Sequence, residues 1–429
     1  MFSILKRVLP SVVSTKLISF WQFIKAQAES EKTTIYSKNL NSKNNKISVV
    51  FIIYFAEAFS SFKSLYELLR ADNDFDVHLL CQPNFSDNDW SNHNAAYSFL
   101  SALYPEAINA YKNKKWFALN TLSPDYVFYC RPYNSDYYTA YKASVVREVA
   151  KVCFIAYSYN LEHKHDHNFN TVNNYDFLQN CYYIFATTEY ERSILRKRFV
   201  LSSMRQNYPK ILFAGFTRFD LYCNKKESSL PRKNKPFTIL YTPRWTSYKK
   251  IKSQGSSFLL YIDNFIDYAR QNSDIQIIIR LHPLMIHHYI AENIVSPDYF
   301  EKLENTFRQL GNIRFDTSKD YFDSLEKADA FISDYTSLLV EFFISRKPVI
   351  YLGNVSLFNK NTKKMCQAFY KANSWNEINN FIEQLKNCCD LFYEKRNRLF
   401  PKIIKSYGKA SENIRNILKN NFYEKGERL

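Results

Sequence analysis

Arg280 and His282 stand two residues apart, directly after the apolar run at 275–279, and Pro283 follows them. A guanidinium and an imidazole released together at the end of a buried strand suit an anion. The first supplies fixed charge and a fork of donors, the second a donor or a proton carrier near neutral pH. The stretch 329–353, DAFISDYTSLLVEFFISRKPVIYLG, has the same order of strand, polar elbow and helix. Ser333 or Asp334 can cap the helix that follows. Thr336 and Ser337 then fall in its first turn, where unpaired backbone N–H groups and the positive dipole end take a phosphate without glycines. A third elbow carries Thr242, Arg244 and Trp245.

Each feature alone is ordinary, because Ser and Asp cap many helices and a histidine after a strand is usually structural. The partnership of Arg280 and His282 with the 333–337 elbow is what points to a phosphate site. His282 can serve there as general base, general acid or donor to a leaving phosphate, with Pro283 fixing the direction of the turn. His287 and His288 are expected on the surface of the next helix. Glu341 lies one to two turns into the phosphate helix, where contact with a ribose and exposure to solvent are both open to it.

Groups so far apart in sequence need a scaffold that gathers strand ends on one edge. Apolar runs at 47–55, 75–82, 126–133, 151–159 and 181–188 alternate with helical stretches such as 61–71. That alternation predicts a parallel sheet covered on both faces, in a first α/β domain spanning 46–205. A second series, 210–222, 237–245, 275–283, 313–317, 330–334 and 347–353, predicts another doubly wound domain with a helical tail, spanning 206–429. Two such domains are expected to face a central cleft, with ligands at the carboxyl ends of the strands. Residues 1–28 are amphipathic, with Lys6, Arg7, Lys16 and Lys25 between apolar residues and Pro10 as a breaker. They contain no uninterrupted run near the ~20 residues of a spanning helix. An interfacial helix on an anionic membrane surface and a helix packed on the protein's own flank both fit. Residues 30–46 are polar and read as a linker.

The 429 residues are 46% hydrophobic, enough for two substantial domains, and 33 Tyr and 36 Phe supply much of the core. With only six glycines there is no Gly-rich phosphate loop, so a bound phosphate must be held by helix termini and side chains. The net charge of +17 admits nucleic acid, an anionic membrane or a phosphorylated substrate as partner. No helix-turn-helix, zinc-finger or RNP signature is present, and no nucleic-acid partner is expected. Cysteines 81, 130, 153, 181, 223, 366, 388 and 389 form no C-x-x-C pair. Reduced thiols and a cytoplasmic location are the expectation. HKHDH at 163–167 reads as an exposed loop without complementary ligands, so no metal is expected.

RLHP (280–283) followed by SDYTSLLVEFFISRKPVIYL (333–352) resembles the second domain of the CDP-glycerol glycerophosphotransferase family of teichoic-acid and capsule synthesis. AGFTRFDLY (214–222) resembles that family's Gly-x-x-Arg-x-Asp segment, here Gly215, Arg218 and Asp220, and ILYTPRW (239–245) its strand ending in a Pro–aromatic turn. The resemblance implies a GT-B fold, no metal or cofactor, and peripheral attachment to the inner face of a bacterial cell membrane. It implies transfer of glycerol phosphate, or a related polyol phosphate, from a CDP-activated donor to an acceptor hydroxyl, releasing CMP. The acceptor would be a glycan or polyol phosphate, including a lipid-linked one. His282 and Asp334 would be catalytic. Thr242, Arg244, Arg280, Ser333, Thr336, Ser337, Gly215 and Arg218 would hold the donor.

The first domain departs from the pattern. The family's His-Gly-Thr segment would fall in VCFIAYSYNLEHKH (152–165), where Tyr157, Ser158 and Tyr159 stand instead. Tyr157, Ser158 and the displaced His163 are then the candidates on the acceptor side. Two other readings follow from the departure: a GT-B glycosyltransferase using a CMP- or other nucleotide-activated sugar, and a non-catalytic membrane-surface scaffold of a polysaccharide assembly complex.

Overall fold

The computed structural model describes residues 46–84, 93–163, 170–171, 173–206, 208–223, 235–246, 255–318 and 321–426. The 1–28 segment, the linker up to 45 and residues 164–167 of the HKHDH stretch lie outside the described residues.

Strand β1 (Ile47–Ile53) is buried along its whole length. Val49, Phe51 and Ile53 enter one apolar cluster, while Val50 and Ile52 enter another on the opposite face. Burial on both faces is why its sequence is an unbroken apolar run rather than an alternating one. The sheet continues with β2 (Phe75–Cys81), the short β3 (Ile108–Asn109), β6 (Tyr126–Tyr129), β7 (Lys151–Ile155), β8 (Tyr183–Ala186) and β9 (Lys210–Phe213). A small hairpin of β4 (Tyr111–Lys112) and β5 (Lys115–Trp116) stands apart. The order is β3-β2-β1-β6-β7-β8-β9, and every pair is parallel.

The second sheet holds β10 (Phe237–Thr242), β11 (Ile275–Ile279), β12 (Ile313–Phe315), β13 (Ala330–Ser333), β14 (Val349–Tyr351) and β15 (Tyr370–Lys371). Its order is β12-β11-β10-β13-β14-β15, again all parallel. Counted within each sheet, the first six strands run 3-2-1-4-5-6, the doubly wound order whose direction reverses beside the first strand. In the second sheet that switch point lies between β10 and β13. The architecture is that of two Rossmann-like lobes of the GT-B type.

The chain divides into two compact units. The first comprises Met1–Ser158, His167–Asp220 and Gly408–Leu429, and the second Tyr159–Asp166 and Leu221–Tyr407. The sequence reading opened the second domain at 206 and gave it the tail. Parallel pairing with β8 instead makes β9 the edge strand of the first sheet. The last helix, Ala410–Gly426, also belongs to the first unit, where Ile414 and Leu418 enter the core. The Asp220 carboxylate accepts from the N–H groups of Ala410 and Ser411 at that helix's start, at 3.2 and 2.7 Å.

No helix of the described residues is long and apolar enough to cross a membrane.

Candidate active site

The second unit places three elbows on one sheet edge, but those of β11 and β13 are not neighbours: β10 runs between them. The connecting groups therefore come from the β10 elbow. Thr242 closes β10 in register with Ser333, which closes β13. The Thr242 hydroxyl donates to Ser333 Oγ at 3.0 Å, and Ser333 Oγ donates to the Thr242 carbonyl at 2.6 Å. Both residues are buried, and their hydroxyls tie the two strands at the switch point.

Asp334 is also buried. Its Oδ2 accepts from the backbone N–H of Arg244 at 3.0 Å and of Ser257 at 2.9 Å. Burial raises its carboxyl above the usual range, while these N–H donors and the Arg244 charge pull it down. Asp334 thus holds the chain after β10 and the entry to helix Phe258–Gln271. The resemblance gave it a catalytic role; of its two oxygens, Oδ2 is the one these donors occupy. The expected cap moves accordingly. With Asp334 engaged elsewhere, the next helix starts three residues later, at Leu338–Ile344, with Ser337 at its N-cap and no side-chain cap bond. The Thr336 hydroxyl accepts from Leu338 N–H at 3.3 Å.

Arg244 is the group these anchors present. Its Nε donates to Thr246 Oγ1 at 2.7 Å, and its guanidinium carbon lies 4.6 Å from the centre of the Tyr335 ring. Its Nη1 is buried with no hydrogen-bond partner. Burial, more than any neighbour, lowers its pKa, while Tyr335, Glu162 and Asp334 act in the opposite direction. The Tyr335 hydroxyl donates to Glu162 Oε1, and its ring stacks on Phe358 at 5.4 Å.

His282 follows β11 and stacks on the Trp245 indole at 5.9 Å between centroids. Its Nδ1 accepts from Leu284 N–H at 3.2 Å. A neutral ring with Nδ1 so occupied carries its proton on Nε2 and offers a donor there. Its pKa is lowered to about 4, by burial first and by the Arg244 charge second. The residue as a whole is exposed, so water offsets much of the burial effect, while the Arg244 repulsion acts in the same direction. His288, expected on the surface, is buried with its ring edge-on to Trp245 at 5.2 Å.

Arg280 is half-buried and already paired, donating from Nη1 to Asp316 Oδ2 at 2.9 Å with its guanidinium over the Tyr321 ring. Asp316 also accepts from Ser318 and Ser324, and was missed in the sequence. A polar residue directly after β12 was the available signal. Glu341 does not face solvent: it is buried, and its Oε2 accepts from the hydroxyls of Tyr222 and Tyr321, both at 2.9 Å.

Gly215 and Arg218 belong to the first unit. Gly215 has φ +97°, a left-handed conformation that needs glycine. Arg218 is buried, donating from Nη2 to Ser61 Oγ at 2.9 Å and to the Tyr157 carbonyl at 2.8 Å. Tyr157 and Ser158 follow β7 in the same unit, whereas His163 is exposed in a segment that belongs to the second.

The model of the CDP-glycerol:poly(glycerophosphate) glycerophosphotransferase family matches residues 34–418. The chain belongs to this family. It is a glycerophosphotransferase-type enzyme with the GT-B fold. No curated protein sequence matches it. The wall teichoic acid polymerase TagF is 16% identical over 96% of this chain and 97% of that one, with a TM-score of 0.56. A histidine variant of TagF soaked with CDPG is 15% identical over 98% of this chain and 100% of that one, with a TM-score of 0.55. UDP-GlcNAc 2-epimerase from Neisseria meningitidis, bound to UDP-GlcNAc, is 16% identical over 87% of this chain and 100% of that one, with a TM-score of 0.54. These likenesses concern the fold that glycerophosphotransferases share with such proteins.

Proposed function

We propose that the second unit binds the diphosphate of CDP-glycerol around Arg244 and His282, for transfer of glycerol phosphate to an acceptor hydroxyl with release of CMP. The observation that carries this reading is the Arg244 Nη1 group, buried without a partner beside a histidine that offers Nε2–H. A buried cationic donor left unpaired is costly, and a phosphate oxygen relieves it with a charge-assisted bond. The half-buried hydroxyls of Thr336 and Ser337 stand in the same elbow as Tyr335, whose ring underlies Arg244.

In this reading, phosphoryl transfer is chiefly a matter of placing the donor and neutralising charge on the departing CMP oxygen. Arg244 supplies fixed charge and His282 a neutral donor. Asp334, Thr242 and Ser333 keep the elbows in place. The acceptor is a polyol phosphate or glycan, lipid-linked at an anionic membrane surface, a partner to which the net charge of +17 is suited. CMP release from purified protein tests the donor. CDP-glycerol should support it, and CMP-sugars should not. Release with a CMP-sugar alone would replace the reading by that of a glycosyltransferase.

A further inference from the structure

Transfer to an alcohol requires that the alcohol's proton go somewhere, and the groups named so far are badly placed to take it. Nδ1 of His282 already accepts from Leu284, and its other nitrogen offers a proton. Asp334 is buried between two backbone donors, and Glu341 between two tyrosines. Asp316 is shared by Arg280, Ser318 and Ser324. His288 is buried against Trp245 and Tyr289.

Glu162, engaged by donors as well, differs from these buried groups in exposure: it is half-buried, on a segment pinned to the second unit by a backbone bridge between Glu162 and Phe358. The Leu161 carbonyl accepts from Asn359 N–H at 2.8 Å and from Thr362 Oγ1 at 3.1 Å, and the Asn160 carbonyl accepts from Asn359 Nδ2 at 3.0 Å. The carboxylate accepts from the Tyr335 hydroxyl at Oε1 and from Leu161 N–H at Oε2, 3.2 Å away. Tyr335 in turn lies under Arg244. One phenol therefore separates this carboxylate from the cation assigned to the donor phosphate.

We propose that Glu162 is the catalytic base for the attacking hydroxyl, an inference that rests on the CDP-glycerol reading. The acceptor oxygen forms a bond to the phosphorus of glycerol phosphate. The phosphoanhydride bond to CMP breaks, and its electron pair leaves on the CMP oxygen beside Arg244 and His282. The acceptor proton passes to the Glu162 carboxylate and from there to water. A positioned carboxylate is sufficient for this role, since kinases use an aspartate to take the substrate hydroxyl proton.

The experiment measures CMP release from CDP-glycerol with a short polyglycerophosphate primer, for the full chain and its Glu162→Gln, Glu162→Asp, Glu162→Ala and His163→Asn variants. Calorimetry with CDP-glycerol is run on each protein. The expected result is a kcat for Glu162→Gln lower by roughly 10²–10⁴-fold, the range for a lost general base. Donor affinity should stay within about twofold, because a base that acts only on the acceptor adds little to ground-state donor binding. Glu162→Asp should recover part of the loss, and added formate should raise turnover of Glu162→Ala. Full activity of Glu162→Gln, or loss of donor binding in step with activity and no formate rescue, overturns the proposal. Loss of turnover in His163→Asn but not in Glu162→Gln moves the base to His163. Absence of CMP release by the parent protein overturns the donor reading and this proposal with it.

Discussion

The guanidinium carbon of Arg244 lies 4.6 Å from the centre of the Tyr335 ring, so the cation sits over an aromatic face with Nη1 buried and unpaired. Arg244→Ala should weaken CMP and CDP-glycerol binding by roughly 10–100-fold, the scale of a lost hydrogen bond to a charged group. Arg244→Lys should restore little, because an ammonium reproduces neither the delocalised cation over the ring nor the second donor. Calorimetry with CMP reads both effects, and undiminished affinity in Arg244→Ala would remove the residue from the phosphate site.

His282→Ala should lower kcat by about 10²-fold, the low end for a residue that handles a proton or a developing charge. The direction of its titration is testable separately. Its pKa lies below the usual 6.5, at about 4, because burial and Arg244 both disfavour the imidazolium. The unfolded chain therefore binds more protons between those two values. Stability contributed by the neutral ring is complete above about pH 6.5 and is lost as pH falls toward 4. An NMR titration should place the His282 midpoint below 6.5, and bound CMP should move it upward. A free-protein midpoint at or above 6.5 would contradict the Arg244 proximity.

Asp334→Ala should destabilise the protein by roughly 2–4 kcal/mol, since two buried N–H donors lose their acceptor. Asp334→Asn keeps one acceptor oxygen and should cost less. Thermal unfolding checks this, with a downward shift of roughly 2–4 °C for each kcal/mol in a unit of this size. If Asp334→Asn kept its full melting temperature yet lost all turnover, a chemical role for the carboxylate would be restored.

Arg218→Ala separates the family-derived expectation from the observed contacts. Loss of its bonds to Ser61 and Tyr157 should lower the melting temperature while the KM for CDP-glycerol stays within about twofold. A KM rise of an order of magnitude without thermal destabilisation would return Arg218 to donor binding.

Much of this was readable in advance, for reasons that differ between elements. The all-apolar β1 announces a strand buried on both faces, and the elbows after β10, β11 and β13 are visible because polar groups follow apolar runs directly. The assignment of β9 was not readable. An edge strand's partner is set by β8, and nothing in KILF itself distinguishes closing one sheet from opening the next. The site shows the same division. Residue type located Thr242, Ser333 and Asp334 at the switch point, but not that Thr242 and Ser333 bond each other or that Asp334 accepts from the Arg244 and Ser257 N–H groups. Glu162 left no signal, because its partner Tyr335 is 173 positions away and the bond exists only once the 159–166 strip is laid onto the second unit.

That path of the chain governs where the polypeptide can be cut. A fragment beginning at Leu221 would lack the strip that covers Phe358 and Asn359, and one ending before Ala410 would strip Ile414 and Leu418 from the core of the other half. The core of the first unit is therefore completed only by residues 410–426, which follow the whole of the second unit in the chain.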